Sequence, residues 1–371
     1  MLSKNMQYAF QKEYQERILL SEGISDAKEL NNELLSVLRD DRLIEVFNQS
    51  KEIQQRLTES GAQSFSMSVG YPGLLIGTGY PHMTGKKVAG EINIGFSFDY
   101  VTGMPFYPGS SLKGVLRNPF QRALNKNDES SEEYREYLSS VFQEVIGKEL
   151  SIEDIKCFVN IVFDGKNPED GNGMPMASRD IFYGAYPIGF LSDNPPSGLL
   201  QLDNLTPHLD KETHEEAPLK DPESLLTLLR VAPNVCLAFY VKLHDLELCN
   251  GQIHITAEDK IKVFKTILKD FGIGAKTHVG YGNLSDCSGE ITINPGVAAV
   301  ARSAQSEEDS SDETLGPLCQ NCGKKHVQMN ESTKTWGKYC SECLPIMRKK
   351  QKEKKEAEKK AKREKRKNRE E

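Results

Sequence analysis

The stretch 102–122, TGMPFYPGSSLKGVLRNPFQR, contains the residues best suited to binding a phosphate group. Pro105 and Pro108 hold the chain extended, and Gly109 allows a tight turn directly before a predicted helix. The side chains that this turn brings together are Ser110, Ser111, Lys113 and Arg117. Either serine is a natural N-cap, and the two cations, four residues apart, lie on one helix face. Free N–H groups, hydroxyls and cations at a helix start are typical of phosphate binding, although an ordinary capped helix with solvated cations fits the same residues.

Four cysteines near the C-terminus are spaced as zinc ligands. Cys319 and Cys322 form one CxxC pair, and Cys340 and Cys343 form a second pair after seventeen intervening residues. Each CxxC turn supplies two thiolates, and two such turns complete the tetrahedron that structural zinc prefers. Because all four ligands are cysteines, the site would keep no open position for catalysis. Disulfide bonds are the alternative, which a cytoplasmic setting disfavours.

The elements that must position these residues are a mixture of helices and strands. Leucines at helical spacing predict a helical segment in residues 1–60. Alternating apolar residues predict strands at 90–100, at 179–190 with a turn at Pro187, and at 235–243 with one buried face. This order favours an α+β fold with helices on one face of a sheet, and a ferredoxin-like β-α-β-β-α-β core is the simplest arrangement.

Local signals define the ends of two further helices. Ser151 and Thr256 each begin a capping box, and Gly272 follows the apolar stripe of the second helix as its C-terminal cap. Residues 191–221 are predicted to be irregular, and residues 224–229 to form a short helix or turn.

The net charge of −7 conceals an uneven distribution of charge along the chain. Residues 348–371 carry 14 Lys and Arg against 6 Glu, so this tail is +8 and the rest of the chain is −15. An acidic body argues against a non-specific nucleic-acid-binding protein, but it allows binding along one defined track. No apolar run approaches the roughly 20 residues of a membrane span, and the N-terminal residues lack a signal-peptide core. We therefore expect a cytoplasmic protein without membrane contact.

Composition divides the chain into five parts. Residues 1–60 form the N-terminal helical segment, and residues 61–296 form the α+β domain. Residues 297–317 are small, acidic and serine-rich, which predicts a disordered linker. Residues 318–346 form the four-cysteine, zinc-ribbon-like module. Residues 347–371 form a charged basic tail, which is either solvated or in contact with RNA or an acidic neighbour.

Two motifs give the chain a resemblance to a known family. PGSSLKGVLR, at 108–117, and GIGAKTHVGYGNL, at 272–284, resemble the paired signatures of RAMP-superfamily proteins of CRISPR systems. The ordered segments around and between them resemble the sixth-subunit family of the type III-B (Cmr) effector over residues 64–292; these are YPGLLIGTGYPH, FDYVTGMPFYPGSSLKGVLR, IFYGAYP, LDNLTPHLDK and LLRVAPNVCLAFYV. The resemblance implies an RRM-like, ferredoxin-type RAMP core. Gly184 departs from it, since many relatives carry an acidic residue there.

The same resemblance implies a non-catalytic, crRNA-binding structural subunit of an RNA-guided, RNA-targeting effector in antiviral defence. Its implied partners are crRNA, target RNA and other Cmr-type subunits. Ser110, Ser111, Lys113 and Arg117 match the helix start that approaches the crRNA backbone. The residues that match the family's glycine-rich loop are Gly272, Gly274, Lys276, Thr277, His278, Gly280, Tyr281 and Gly282. Glycines let backbone amides approach a phosphodiester chain, Lys276 adds a charge, and Tyr281 or His278 could stack on a base.

An enzyme of the same superfamily is the alternative, namely a metal-independent endoribonuclease that processes crRNA. Such an enzyme needs a general acid or base near the scissile phosphate. The candidates are His82, His278, Tyr281 and Lys276, and no pair of histidines stands out. A nucleotide-binding P-loop is excluded, because Ala275 replaces the glycine that must precede the lysine.

The zinc prediction is tested by the metal content of the purified chain. We expect about one zinc per chain in protein purified without chelators, because two CxxC pairs complete one tetrahedral site. Replacing Cys322 and Cys343 with serine should abolish binding. A zinc content far below one per chain in freshly purified protein would contradict the prediction.

Overall fold

The computed structural model describes residues 2–3, 5–21, 24–37, 40–82, 84–86, 88–167, 170–191, 196, 198–205, 226–248 and 252–293, and the backbone of 329–330 and 335–336. The chain forms two compact units, Met1–Ala299 and Val300–Glu371. The predicted linker, the four cysteines at 319, 322, 340 and 343, and the basic tail lie outside the described residues. The zinc site therefore stays a prediction.

Four α-helices lie in the first 60 residues, and four more follow among the described residues. They are α1 (Met6–Tyr8), α2 (Tyr14–Leu20), α3 (Lys28–Ser36), α4 (Asp40–Glu59), α5 (Gly109–Leu124), α6 (Ser131–Ile146), α7 (Ile152–Phe158) and α8 (Ala257–Phe271). The π-helical turns Ala9–Glu13 and Val159–Phe163 continue α1 and α7. None of the helices in the described ranges combines the length and apolar character that crossing a bilayer requires.

The strands of the first unit form one large antiparallel sheet and several two-stranded ribbons. They are β1 (Gln63–Val69), β2 (Gly77–Pro81), β3 (Ile94–Phe96), β4 (Tyr107–Pro108), β5 (Ile181–Leu191), β6 (Leu200–Leu205), β7 (Leu226–Val231), β8 (Val235–Lys242), β9 (Leu246–Leu248), β10 (Ile253–Ile255), β11 (Leu284–Asp286) and β12 (Ile291–Thr292). In the second unit, β13 (Met329–Asn330) and β14 (Thr335–Trp336) pair antiparallel.

The large sheet has the strand order β11-β1-β8-β5-β12, and β4 pairs with β5. Along the chain, the elements β1, α5, β5, β8, α8 and β11 follow the path β-α-β-β-α-β. The predicted α+β class is therefore confirmed. The glycine-rich loop lies between α8 and β11, and the predicted phosphate-binding stretch, 102–122, contains β4 and most of α5.

Strand β8 is the centre of the core. Phe239 stacks on Phe65 of β1 with ring centroids 5.2 Å apart, while the next residue, Tyr240, lies 6.3 Å from Tyr186 of β5. Adjacent strand residues point to opposite faces, and both are buried. The prediction that only one face of this strand is buried is therefore wrong, since both faces of the sheet are covered.

Local signals predicted helix ends better than they predicted the hairpin insertion. Ser151 and Thr256 form complete capping boxes, and Gly272 ends α8 as predicted. The segments predicted to be irregular or helical instead contain β6 and β7, which pair in register from Leu200 and Val231. Pro187 lies within β5 at a register irregularity instead of forming a turn.

A buried ion pair joins α8 to the start of β5. The Lys260 side chain is 1% exposed, and its Nζ donates to Asp180 Oδ2 at 2.6 Å. The backbone N–H of His244 donates to the other carboxylate oxygen of Asp180 at 2.9 Å. Each charge therefore depends on the other for its stability in the interior.

Replacing Lys260 with methionine should destabilise the domain by about 3–5 kcal/mol, because it leaves the Asp180 carboxylate buried without its cation. The double variant Lys260→Met/Asp180→Asn should recover much of this loss, since asparagine removes the charge but keeps an acceptor for His244. Urea unfolding measures both. A double variant no more stable than Lys260→Met would contradict the interpretation.

Candidate nucleic-acid interface

The start of α5 differs from the prediction by its capping residue. Pro108, with φ −62° and ψ 141°, occupies the N-cap position, and the helix begins at Gly109 without a side-chain cap. Ser110 and Ser111 lie in the first helical turn and are exposed. The prediction that either serine is the N-cap is therefore wrong, because pairing of β4 with β5 fixes Pro108 as the last extended residue. Among the described residues, no side chain accepts from the first N–H groups of α5, which leaves them available to an anion.

Gly184 explains why this helix start lies so close to β5. Its φ is +112°, and a Cβ atom there would lie 2.3 Å from the carbonyl oxygen of Tyr107 and 2.9 Å from the backbone nitrogen of Gly109. Only glycine fits this position without moving the backbone. The acidic residue that many relatives carry is therefore excluded here by packing.

The two predicted cations of α5 have different environments. Lys113 is half-exposed, and its ammonium group makes no hydrogen bond or ion pair with any described residue. Arg117 Nη2 lies 2.7 Å from Asp164 Oδ1. The Arg117 guanidinium is thus already paired, so of the two cations Lys113 is the one available to a phosphate.

The glycine-rich loop is tied by its backbone to the segment that follows β1. Ala275 N–H donates to Leu75 O at 3.0 Å, and Gly282 N–H donates to Gly73 O at 2.7 Å. Gly282 has φ +73°, and a Cβ atom there would lie 1.7 Å from Ile273 O. The loop therefore has one defined course, which a side chain at position 282 would block.

Tyr107 connects the loop to the start of α5. It is buried two residues before the helix, and burial raises the pKa of its hydroxyl to about 12. The backbone of Gly274 lies near that hydroxyl and partly opposes the rise in its pKa. The two stretches singled out in the sequence thus meet at Tyr107.

Tyr281 is part of the protein interior, which corrects the prediction that its ring stacks on a base. The residue is 3% exposed, and its hydroxyl donates to Asp203 Oδ2 at 2.6 Å. Burial, followed by the hydrogen bond and charge of Asp203, raises the pKa of Tyr281 to about 12. Arg230 Nε lies 3.4 Å from the same carboxylate oxygen. Tyr281 therefore anchors the end of the loop to the β6–β7 hairpin.

The roles of Asp203 and Arg230 in supporting the loop were not predicted from the sequence, and neither was the linking role of Tyr107. The signal that could have found the hairpin is the alternation of leucines in LQLDNL and LTLLRV. The contact between Tyr281 and Asp203 had no local signal, because 78 residues separate them.

The exposed part of the loop is its tip. Lys276 is exposed, has φ 60°, and makes no side-chain hydrogen bond or ion pair within the described ranges. His278 is exposed and Thr277 is half-exposed. The tip therefore presents one free cation and one imidazole beside backbone amides.

His82, a candidate general base in the sequence, is a core residue. Its ring stacks on Phe10 with centroids 3.9 Å apart, and its nitrogens lie 2.9 Å from Phe10 O and 3.2 Å from Ile92 O. Burial lowers the pKa of His82, and these carbonyl contacts oppose the change. The geometry thus gives His82 a structural role.

Comparison with known families identifies the fold. The family model of the RAMP superfamily matches residues 67–285, which is more than half of the chain. The chain belongs to the RAMP superfamily. The matched region contains the start of α5, the glycine-rich loop and the hairpin that supports the loop.

Three solved structures are similar to this RAMP protein at low identity. A chain of the type III-B Cmr-beta complex bound to cognate target RNA is 19% identical, with 72% of this chain and 75% of that chain covered and a TM-score of 0.39. Cmr6 from Pyrococcus furiosus is 20% identical, with 61% and 97% covered and a TM-score of 0.34. A chain of a type IV-B CRISPR complex is 14% identical, with 60% and 89% covered and a TM-score of 0.32. The comparison with curated proteins gave no match.

The chemistry of the RAMP domain's candidate interface is that of anion binding. The helix start supplies free N–H groups, Ser110, Ser111 and Lys113, while the loop tip supplies Lys276 and His278. In the part of the chain that the structure describes, no group of three or more His, Cys, Asp and Glu side chains could hold a metal ion.

Replacing Gly282 with alanine should destabilise the RAMP domain by about 3 kcal/mol or more, because the left-handed φ and the clash with Ile273 O add. Urea unfolding measures the loss. Gly147→Ala is the matched control, since Gly147 has φ +69° but open space around its Cβ position. The free energy of unfolding of this control variant should fall by only about 1 kcal/mol. Equal losses in the two variants would show that the close approach at Gly282 is unimportant.

Proposed function

We propose that this RAMP protein is a non-catalytic, crRNA-binding structural subunit of a type III-B (Cmr) CRISPR effector complex. Its partners in this proposal are crRNA, target RNA and the other subunits of the complex. Membership of the RAMP superfamily and the ordered motifs of residues 64–292 support the assignment.

The observation that carries the proposal is the junction at Tyr107. Through this buried residue, the uncapped start of α5 and the glycine-rich loop are neighbours in the fold, which supports one binding surface instead of two separate sites. Lys113 and Lys276 are the cations of that surface without a partner among the described residues. A chain of phosphates that follows the surface would meet backbone N–H groups and ammonium groups in turn.

The chemistry of this surface suits an RNA whose sequence varies. Backbone amides, hydroxyls and lysines recognise phosphates and sugars, which are the same in every nucleotide. A guide must be held whatever its spacer sequence is, so backbone contacts are the appropriate kind. Residues 1–347 carry a net negative charge, which would disfavour nucleic acid on the other faces of the RAMP domain.

Two features support a role in binding instead of cleavage. The His82 ring is buried against Phe10, far from the exposed surface that a scissile phosphate requires. The Tyr281 hydroxyl donates to Asp203, and its raised pKa makes it a poor base near neutral pH. Of the candidates for acid-base catalysis, the exposed groups are then His278 and Lys276.

Charge reversal at the two free cations tests the proposal. Lys113→Glu and Lys276→Glu should each weaken binding of a fluorescent single-stranded RNA by about tenfold, because each removes a phosphate contact. Each should also reduce the slope of log affinity against log salt by about one. Fluorescence anisotropy across a salt series measures both quantities, and two unrelated RNA sequences should give the same loss.

Lys126→Glu is the matched control, because Lys126 is an exposed lysine beyond the other end of α5, about 20 Å along the helix from Lys113. It should leave binding nearly unchanged. Equal losses of affinity in all three variants would show that RNA binds by non-specific electrostatic attraction and not at the proposed interface.

The same RNA, incubated with the protein without divalent metal, should remain intact on a gel. Site-specific cleavage that His278→Ala abolishes would contradict the non-catalytic assignment.

A further inference from the structure

Tyr71 is an exposed aromatic residue on a fixed backbone. Its side chain is 82% exposed, although the chain on both sides is held by hydrogen bonds. Gly70 N–H donates to Asn283 O at 2.8 Å, and Gly73 O accepts from Gly282 N–H at 2.7 Å. The backbone on either side of Tyr71 is therefore hydrogen-bonded to the residues that end the glycine-rich loop, and the ring of Tyr71 is exposed to solvent.

The surroundings of Tyr71 are those of the loop tip. A Cβ atom on Gly280 would lie 3.6 Å from Pro72 Cδ, so the residue after Tyr71 contacts the loop directly. Val279 of the same turn is 58% exposed, and Lys276 is exposed at the start of that turn. An exposed aromatic ring, an exposed valine and a free cation thus all lie within four residues along the chain of the place where Pro72 and Gly280 approach each other.

This combination suits an unpaired base better than it suits a protein side chain. Proteins bind single-stranded RNA by stacking bases on aromatic rings while cations and amides hold the adjacent backbone. Two other tyrosines of this region, Tyr107 and Tyr281, are buried, and the hydroxyl of Tyr281 donates to Asp203. Among the tyrosines of this region whose side chains the structure describes, Tyr71 has the ring that is free to stack.

We propose that Tyr71 is the stacking platform for one unpaired base of the RNA whose backbone lies on the glycine-rich loop. The inference rests on the proposed function and deepens it, since it adds a base contact to a surface that otherwise binds only the backbone. Stacking is tolerant of sequence, because every base has a π face. The added contact is therefore compatible with a variable guide.

The test compares two RNA probes of equal length, one ordinary single strand and one that is abasic throughout. Tyr71→Ala should weaken binding of the ordinary strand on the order of tenfold and leave binding of the abasic strand unchanged. Tyr71→Phe should bind both strands as the wild type does, since the ring is retained. Tyr100→Ala is the matched control, because Tyr100 is 84% exposed in a turn whose Gly103 lies against Asn5.

A fluorescence measurement reports stacking directly. The chain contains a single tryptophan, Trp336, so the difference between Tyr71→Trp and the wild type isolates the signal of the introduced ring. We expect quenching by the ordinary strand and none by the abasic strand. A thermal midpoint equal to that of the wild type would show that each Tyr71 variant is folded.

The outcomes separate this inference from the proposed function. If Lys276→Glu weakens binding but Tyr71→Ala does not, the stacking inference fails and the proposed function stands. If Tyr71→Ala weakens both probes equally, or if Tyr71→Phe binds as poorly as Tyr71→Ala, stacking is also rejected. If neither Lys276→Glu nor Tyr71→Ala changes binding, the proposed function itself fails.

Discussion

Backbone hydrogen bonds between the glycine-rich loop and residues 73–75 are the constraint on which the candidate interface depends. Ala275 and Gly282 both donate to this segment, so the loop cannot move away from β1 without losing them. Because the backbone makes these contacts, the side chains at the tip are left to face solvent. Exposure of Lys276 and Tyr71 thus follows from how the loop is held.

The support beneath the loop comes from a part of the chain that is distant in sequence. Tyr281 reaches Asp203 of β6, and Arg230 of β7 shares that carboxylate. Arg230 Nη1 is buried with no hydrogen-bond partner among the described residues. An unpaired buried donor of this kind lowers the stability of the folded state. The β6–β7 hairpin is therefore as much a part of the interface as the motifs that identify the family.

Local physics explains which features of this chain are predictable from sequence. Capping boxes depend on residues within one helix, so the starts of α7 and α8 followed from Ser151 and Thr256. The N-cap of α5 did not follow from local signals, because pairing of β4 with β5 fixes Pro108 as the last extended residue before the helix. The role of Tyr281 also depended on tertiary contacts, since whether a tyrosine faces solvent or the core is decided by neighbours 78 residues away.

The edges of the large sheet limit how such a protein can be joined to others. The outermost strands, β11 and β12, contain three and two residues. Each of these two strands by itself offers too few unpaired backbone groups to recruit a strand from another molecule. Pairing through β11 or β12 would therefore contribute few hydrogen bonds to the attachment of another chain, and contacts between side chains would have to supply most of the affinity.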